Sequence, residues 1–315
     1  MNDIDILVTA PLPRFLREPL DADYRTHDYA VASDRDALVA RVGPRIRGIV
    51  QGGGTVTTTS LLDALPALEI ISVFGVGYDG VPTAYCRERR IKVTNTPDVL
   101  TDDVADVAVA LILMTARGFA RADRFVREGE WTRRSLPLAT KLAGKSVGIL
   151  GLGRIGKAIA KRVDAMGMQV AYTGRTRQDV AWRYVPSLEA LASEVDFLVV
   201  ACPGGQATRR LVDARVLTAL GAKGTLVNIA RGSIVDEDAL VRALTEGIIK
   251  GAGLDVFENE PHVPQALFAL DNVVLLPHLG SATHETRKAM ADLCKANLDA
   301  WFAKREVLTL VPELQ

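Results

Sequence analysis

The chain has 315 residues, 48% of them hydrophobic, and its 38 basic and 38 acidic side chains give a formal net charge of zero. This apolar content excludes an intrinsically disordered protein, and the length favours two domains over a single core. The charge balance and a pI near 6.9 provide no net positive charge to attract nucleic acid or an acidic membrane, so neither is expected as a partner.

The first residues and the cysteines predict a cytoplasmic protein. Asp3 and Asp5 lie where a secretory signal peptide would carry positive charge, and no apolar run reaches the length of a membrane span. Cys86, Cys202 and Cys294 are scattered and follow no pairing motif, as expected of reduced thiols. The four histidines lack metal-ligand spacing, so no metal site is expected.

Short apolar runs alternate with amphipathic segments in the first part of the chain. Strands are predicted at 4–9, 47–51, 69–74 and 92–95, and helices at 34–42 and 61–65. The residues between the first strand and the first helix are of mixed polarity, and no element is predicted there. The alternation predicts a first α/β unit with a parallel sheet.

A glycine-rich turn follows the third of these strands. Gly75-Val76-Gly77-Tyr78-Asp79-Gly80 satisfies the G-x-G-x-x-G pattern of dinucleotide sites. The residues that come next, Val81-Pro82 and the polar stretch 86–90, make a poor amphipathic helix. The pattern alone therefore favours a structural turn at this place.

A long apolar helix is predicted to begin at Thr101. Asp102 and Asp103 supply the acidic first turn that favours a helix start. The following VADVAVALILMTARGFA is apolar nearly all round, which predicts a helix buried in a contact between domains or subunits. A more amphipathic helix is predicted from Arg117 to Trp131, and a connecting loop follows it.

The stretch from Lys145 to Arg177 combines strands at 146–150 and 168–172 with a helix at 154–166. Between the first strand and the helix lies a second glycine motif: Gly151, Leu152, Gly153, Arg154, Ile155 and Gly156. The first glycine allows the tight turn, the second lets the backbone approach a pyrophosphate, and the third lets helix and strand pack closely. This stretch therefore predicts a dinucleotide-binding site.

The end of the second strand of this stretch bears on the choice of cofactor. NAD sites place a carboxylate there for the ribose 2′-hydroxyl, whereas NADP sites place an arginine for the 2′-phosphate. The chain has Gly174, Arg175, Thr176 and Arg177, and no carboxylate before Asp179. A guanidinium suits a phosphate dianion, so NADP(H) is favoured over NAD(H). The alternative is that both arginines are solvated loop charges.

The remainder of the chain continues the alternation. Helices are predicted at 187–193, 213–219, 237–246 and 283–303, and strands at 196–201, 225–229, 251–256 and 273–276. Six strands from residue 146 onward predict a doubly wound sheet, with ligand chemistry in the loops beyond the carboxyl ends of its strands. The last helix is long enough to reach back to the first unit.

Three of those loops carry reactive side chains, namely Arg231, Glu260 and His278. Reduction of a ketone adds a hydride to carbon and a proton to oxygen, and histidine is the usual proton donor near neutral pH. A neighbouring carboxylate would orient the imidazole and stabilise its charged form, and a guanidinium would bind a substrate carboxylate and polarise the carbonyl. We therefore predict that His278 is the acid, that Glu260 is its partner and that Arg231 binds the substrate anion.

Six segments together resemble the D-isomer-specific 2-hydroxyacid dehydrogenases, within the glyoxylate/hydroxypyruvate reductase branch. They are VFGVGYDGVP (73–82), NTPDVLTDDVAD (95–106), GILGLGRIG (148–156), NIARGSIVDEDAL (228–240), GLDVFENEP (253–261) and PHLGSATHETR (277–287). They span nearly the whole chain in the family's order, which is far more specific than any one motif.

The resemblance implies an α/β fold of two doubly wound parallel-sheet domains. A Rossmann dinucleotide-binding domain, 99–284, would be inserted into a flavodoxin-like substrate domain, 1–98, that the C-terminal helix at 285–315 completes. Members are usually homodimers built on the nucleotide domain. Trp131 and the loop 133–138 are therefore expected either to reach the partner's pocket or simply to anchor a helix end.

The resemblance also assigns roles to residues. It implies that Arg231, Glu260 and His278 are catalytic. It also implies that the backbone N–H groups of Val76 and Gly77 bind the carboxylate of the substrate. It places Asp255 at the nicotinamide carboxamide, although that residue could equally cap the loop around Glu258. The cofactor would also be lined by Cys202, Ile229, Ala230 and Gly280. NAD-using members carry an acid where this chain has Gly174, which supports NADPH.

The favoured function is therefore NADPH-dependent reduction of glyoxylate or hydroxypyruvate to a D-2-hydroxy acid. A first alternative is a reductase of bulkier acids such as phenylpyruvate or 4-methyl-2-oxopentanoate, because Gly52 to Gly54 could line a roomy pocket. A second is a nucleotide-sensing protein of the corepressor type, which would bind the dinucleotide without turnover. Such proteins usually carry extended partner-binding tails, and the chain ends soon after its last predicted helix.

Overall fold

A computed structural model describes residues 3–315 of the chain. These residues form two compact units. One comprises the described residues up to Leu100 together with Thr283–Gln315, and the other is Thr101–Ala282. Each unit is built on its own sheet, and every strand pairing in both sheets is parallel.

The first unit contains a five-stranded sheet with the order β2-β1-β3-β4-β5. Its strands are β1 (Asp5–Val8), β2 (Arg25–Asp28), β3 (Ile46–Gly52), β4 (Ile70–Phe74) and β5 (Lys92–Thr94). The helices that connect them are α1 (Arg14–Asp23), α2 (Arg35–Val42), α3 (Thr59–Asp63) and α4 (Thr83–Glu88). The central strands are almost fully buried, as expected for a parallel sheet covered by helices on both faces.

Three elements of this unit were not predicted from the sequence, namely α1, β2 and the short α4, which lies in a segment interpreted as a poor helix. Helix α1 begins after Pro13 without a side-chain cap and contains Pro19, so it lacks the usual start signals. Its apolar contribution is limited to the buried Leu16 and Leu20. Strand β2 is the polar segment RTHD, and it lies at the edge of the sheet. One edge of this strand has no neighbouring strand, so polar side chains are tolerated there. Mixed polarity therefore concealed α1 and β2, as it did α4, in which only Cys86 is buried.

The second unit contains a seven-stranded sheet with the order β12-β11-β10-β9-β6-β7-β8. Its strands are β6 (Ser146–Leu150), β7 (Gln169–Thr173), β8 (Arg183–Tyr184), β9 (Phe197–Val200), β10 (Thr225–Asn228), β11 (Gly251–Leu254) and β12 (Val273–Leu275). Its helices are α5 (Thr101–Arg117), α6 (Phe119–Arg127), α7 (Arg154–Ala165), α8 (Leu188–Ser193), α9 (Ala214–Leu220) and α10 (Glu237–Thr245).

The strand order reverses between β6 and β9, and ligands of doubly wound sheets bind at such a switch point beyond the carboxyl ends of the strands. The prediction of six strands was wrong by one, because the edge strand β8 has only two residues. The predicted α/β class with two parallel doubly wound sheets is confirmed.

The apolar helix α5 packs against α7 and against the strands β10 and β11. The single helix predicted from Arg117 to Trp131 is instead interrupted at Gly118, whose φ of 64° no continuing helix adopts. Helix α6 follows, and a 3-10 turn at Glu130–Thr132 ends the segment.

The last helix, α11 (His284–Lys304), belongs to the first unit, where it packs against β4. The Ser72 hydroxyl donates a hydrogen bond of 2.8 Å to the Cys294 carbonyl, and the Tyr24 hydroxyl donates one of 2.6 Å to Asp299. Over residues 3–315, no helix combines the length and the apolar character needed to cross a membrane.

Candidate active site

The glycine-rich turn of the second unit lies between β6 and α7. A Cβ atom on Gly151, whose φ is +96°, would lie 2.6 Å from the Cys202 Cα, and one on Gly156 would lie 2.2 Å from the Gly151 carbonyl oxygen. Both glycines are therefore required by close packing. Gly153 has nothing within 4 Å of such an atom, so the backbone there is open to a ligand. This arrangement fits the pyrophosphate of a dinucleotide at the start of α7.

Beyond β7, the loop that begins at Gly174 carries the predicted phosphate-binding residues. Arg175, Thr176 and Arg177 are all exposed, and Gly174 has open space around it. The loop is held at its far end by Gln178. Its backbone N–H donates to the Tyr172 hydroxyl at 2.7 Å, and its side chain donates to the Leu152 carbonyl of the glycine-rich turn at 2.8 Å.

His278 follows β12 in a strained, left-handed conformation with φ of 54°. Asp255, at the end of β11, holds this conformation through three hydrogen bonds. The His278 N–H donates to the Asp255 carbonyl at 2.9 Å, and the two carboxylate oxygens accept from the N–H groups of Leu279 and Gly280 at 2.6 and 2.9 Å. The predicted site residue Asp255 therefore fixes the backbone of the histidine loop.

Asp255 is only 1% exposed, and burial raises the pKa of its carboxyl against the opposing effect of the two N–H donors. The alternative that Asp255 caps the loop around Glu258 is wrong, because both carboxylate oxygens are used by the histidine loop. The Glu258 N–H donates instead to the Glu237 carboxylate at 2.9 Å. The sequence did not predict these contacts, which arise only from the folded backbone.

The Glu260 carboxylate bridges its own loop and the imidazole. One oxygen lies 2.7 Å from His278 Nδ1, and the other accepts from the Phe257 N–H at 3.0 Å. Burial opposes ionisation of Glu260, but the His278 contact, the Phe257 N–H and the positive charge of Arg231 together hold the pKa of the carboxyl below its usual value. The contact anticipated between His278 and Glu260 is present, and Arg231 is close enough to act on the same carboxylate.

Arg231 follows β10 in a loop that Asn228 shapes. The Asn228 amide donates to the Arg231 carbonyl at 2.9 Å and accepts from the Ala230 N–H at 3.1 Å. The Arg231 guanidinium donates to the Ala230 carbonyl at 2.8 Å. A Cβ on the next residue, Gly232, would overlap the Phe257 carbonyl carbon, so this loop packs directly on the loop that carries Glu260. Asn228 was not singled out from the sequence, although it stands three residues before the arginine.

The other predicted cofactor residues lie around these loops. Cys202 and Ile229 are buried, Ala230 is half-buried, and the Gly280 backbone is held on Asp255. Leu152 is buried behind the glycine-rich turn, whereas Arg154 and Ile155 lie in the first turn of α7. Among the described residues, no group of three or more His, Cys, Asp or Glu side chains could hold a metal ion.

Val76 and Gly77 lie in the first unit, in the turn that follows β4, and both are half-buried. The Asn95 amide donates to the Val76 carbonyl at 2.8 Å, and the Thr96 N–H donates to the Gly75 carbonyl at 2.9 Å. These two hydrogen bonds to carbonyl groups fix the backbone of the turn, and they therefore also fix its N–H groups.

Comparison with known proteins gives consistent results. Residues 109–280 match the family model of the D-isomer specific 2-hydroxyacid dehydrogenase, NAD binding domain. The chain is 48% identical to glyoxylate/hydroxypyruvate reductase A of Arabidopsis thaliana, over 99% of this chain and 100% of that protein. It is 46% identical to hydroxyphenylpyruvate reductase of Plectranthus scutellarioides, with the same two coverages, 99% and 100%.

Among solved structures, the chain resembles NADPH-dependent glyoxylate/hydroxypyruvate reductase of Sinorhizobium meliloti in complex with NADP and malonate. The TM-score is 0.92 at 46% identity, and the match covers 99% of this chain and 98% of that one.

Proposed function

The chain belongs to the D-isomer specific 2-hydroxyacid dehydrogenase family and is an oxidoreductase, and from this membership we propose that it reduces glyoxylate and hydroxypyruvate to D-2-hydroxy acids with NADPH. The observation that carries the proposal is the 2.7 Å contact between Glu260 and His278 Nδ1, with the charge of Arg231 acting on the same carboxylate. A proton donor, its anionic partner and an anion binder are the groups that reduction of a 2-oxo acid requires.

The second unit would hold the cofactor. Gly151 to Gly156 would bind the pyrophosphate, and Arg175 and Thr176 would bind the 2′-phosphate. Asp255, Cys202, Ile229, Ala230 and Gly280 are the remaining residues proposed to face it. When bound, the dihydronicotinamide supplies the hydride that adds to the carbonyl carbon.

The protein's own groups would handle the charge and the proton. Because Glu260 accepts from His278 Nδ1, the other ring nitrogen, Nε2, is the one that would give a proton to the substrate carbonyl oxygen. The carboxylate stabilises the imidazolium before transfer and keeps the ring oriented. Arg231 would bind the substrate carboxylate and polarise the carbonyl as negative charge develops on its oxygen. The N–H groups of Val76 and Gly77 would bind the carboxylate as well.

NADPH is proposed over NADH because the loop after β7 offers guanidinium groups and no carboxylate before Asp179. The Sinorhizobium meliloti relative, described as NADPH-dependent, supports the same choice. The relative that reduces hydroxyphenylpyruvate supports a second candidate, a reductase of bulkier 2-oxo acids. The open space around Gly54 is consistent with such a substrate.

We further propose a cytoplasmic homodimer. Large apolar side chains are exposed along the segment that follows α5, at 46% for Phe119, 54% for Val126, 71% for Trp131 and fully for Leu138. Exposed apolar side chains close together in sequence support a subunit contact. The three cysteines are unpaired and buried, which is consistent with a reducing compartment.

The proposal is tested by initial rates on a panel of 2-oxo acids with NADPH and NADH, with chiral analysis of the product. We expect glyoxylate and hydroxypyruvate to lead the panel, NADPH to be preferred, and a D-2-hydroxy acid to form from hydroxypyruvate. The His278→Ala variant should bind NADPH normally and lose several orders of magnitude in kcat. Tight binding of NADPH with no turnover of any 2-oxo acid would instead favour the nucleotide-sensing alternative.

A further inference from the structure

Arg287 is a half-buried cation without an anionic partner. It is the fourth residue of α11, and its guanidinium lies over the Phe74 ring, 5.7 Å from the ring centroid. Over residues 3–315, no side chain or backbone group accepts a hydrogen bond from this guanidinium, and none forms an ion pair with it. Burial lowers the pKa of the group, and no neighbouring charge offsets that effect.

This position is unfavourable for a cation in the absence of a ligand. The first turn of a helix carries the positive end of the helix dipole, which destabilises a nearby positive charge. Arg287 also has five N–H donors, and partial burial removes part of the water that would otherwise accept from them. The contact with an aromatic ring offsets only part of this cost.

The backbone around Arg287 is well fixed. Thr283 caps α11 by accepting from the Thr286 N–H at 3.2 Å, and the Thr286 hydroxyl donates to the Val99 carbonyl at 3.5 Å. The position of the Arg287 backbone is therefore set by this cap and by the packing of α11 on β4.

The neighbour of Arg287 links it to the turn that is proposed to bind the substrate. Phe74 is the last residue of β4 and immediately precedes the Gly75 to Gly80 turn. Under the proposed function, the N–H groups of Val76 and Gly77 in that turn bind the carboxylate of the substrate. A group attached near that carboxylate, on C3 of the 2-oxo acid, would be the part of the substrate presented to this side of the turn.

We propose that Arg287 is a specificity-determining residue that donates hydrogen bonds to an oxygen on C3 of the substrate. The preferred substrate class is then 2-oxo acids with a hydroxyl or carboxylate oxygen on C3, such as hydroxypyruvate, over analogues with a methyl group there. The inference rests on the proposed function and identifies the substrate class of the same site. Among 2-oxo acids that have a C3 atom, an analogue with a methyl group there places an apolar group against the half-buried guanidinium and leaves it unpaired, which disfavours that analogue; glyoxylate has no C3 and leaves this space to water.

The test compares hydroxypyruvate with pyruvate, because these differ only in the C3 hydroxyl. With saturating NADPH, we expect the unmodified enzyme to favour hydroxypyruvate in kcat/KM by about tenfold or more, as for a hydrogen bond to a charged group. Arg287→Met keeps an unbranched apolar side chain but removes the donors, together with the contact between the guanidinium and the Phe74 ring. It should reduce the preference to roughly twofold, within the range of neutral substitutions, with an unchanged KM for NADPH.

Lys288→Met provides the matched control, since this neighbouring cation is 57% exposed and pairs with Asp292 at 2.5 Å. It should keep the preference for hydroxypyruvate. If Arg287→Met unfolds, as judged by circular dichroism, Arg287→Gln is measured in its place. The inference about Arg287 is overturned if the folded variant retains the preference, or if it loses activity on both acids equally. An unmodified enzyme that reduces both acids equally would also overturn it while leaving the proposed function intact, and one that reduces neither would overturn both.

Discussion

Replacing Glu260 by glutamine would test the contact on which the proposed chemistry depends. The amide keeps the shape of the side chain but cannot satisfy both of its present contacts, with His278 Nδ1 at 2.7 Å and the Phe257 N–H at 3.0 Å. If the amide oxygen turns to the imidazole, the amide N–H₂ faces the Phe257 N–H, and two donors meet. If it turns the other way, the N–H₂ faces His278 Nδ1 and disfavours the imidazolium.

Either arrangement removes a charge-assisted hydrogen bond, which is worth about 1.5–3 kcal/mol. The two side chains are 43% and 35% exposed, so solvent screening moves the effect to the lower end of that range. A loss of roughly 1.5 kcal/mol lowers kcat by about tenfold, since about 1.4 kcal/mol corresponds to a factor of ten. Because the pKa of Glu260 is held below its usual value, the unmodified enzyme should lose activity only as the pH falls through that lowered pKa, and this acid limb should be absent in Glu260→Gln, whose amide does not titrate.

The assay is the pH profile of kcat/KM for hydroxypyruvate reduction, followed by the loss of NADPH absorbance. Glu258→Gln is the matched control, because that carboxylate pairs with Arg209 at 2.8 Å and has no contact with His278. It should change the rate by about twofold or less, as for a partly exposed substitution. A Glu260→Gln enzyme with the rate and the pH profile of the unmodified protein would refute the role given to this carboxylate.

Three further predictions concern the cofactor. Arg175→Ala should raise the KM for NADPH much more than that for NADH, and an equal rise for both would mean that another group reads the 2′-phosphate. Gln178→Ala breaks the 2.8 Å bond to the Leu152 carbonyl and should raise the KM for NADPH several-fold with little change in kcat, whereas unaltered NADPH kinetics would show that the bond does not position the loop. Burial raises the pKa of Cys202 to about 11, so a thiol reagent should label it slowly in the native protein, and NADPH should slow labelling further because the side chain adjoins Gly151. Rapid labelling that NADPH does not affect would contradict its place beside the cofactor.

The nucleotide-binding segment shows what the sequence could predict. The strand and helix predicted at 146–150 and 154–166 agree with β6 and α7 to within a residue, because apolar periodicity and the glycine turn indicate the same structure. The approach of Glu260 to His278 was also predictable, since both follow parallel strands whose carboxyl ends meet at one edge of the sheet. The catalytic roles of these residues stay predictions.

Other features depend on tertiary structure that no local pattern encodes. The use of Asp255 by the histidine loop requires the positive φ of His278, which turns the N–H groups of Leu279 and Gly280 toward the carboxylate. The absence of an anionic partner for Arg287 depends on which groups surround it in the folded first unit. In the sequence, Arg287 is simply an arginine near the start of a predicted helix. Strand β8 escaped prediction because two residues are too few for periodicity to register.

The discontinuity of the first unit has a consequence for biosynthesis. Its strands are made early, but α11, which covers β4 through contacts such as Ser72 with Cys294, leaves the ribosome only after the whole of Thr101–Ala282. The nascent chain therefore completes the inserted unit first, while an apolar sheet surface of the earlier unit awaits its covering helix. A chain released after residue 282 should thus contain a folded dinucleotide-binding unit and a first unit whose uncovered sheet requires a chaperone.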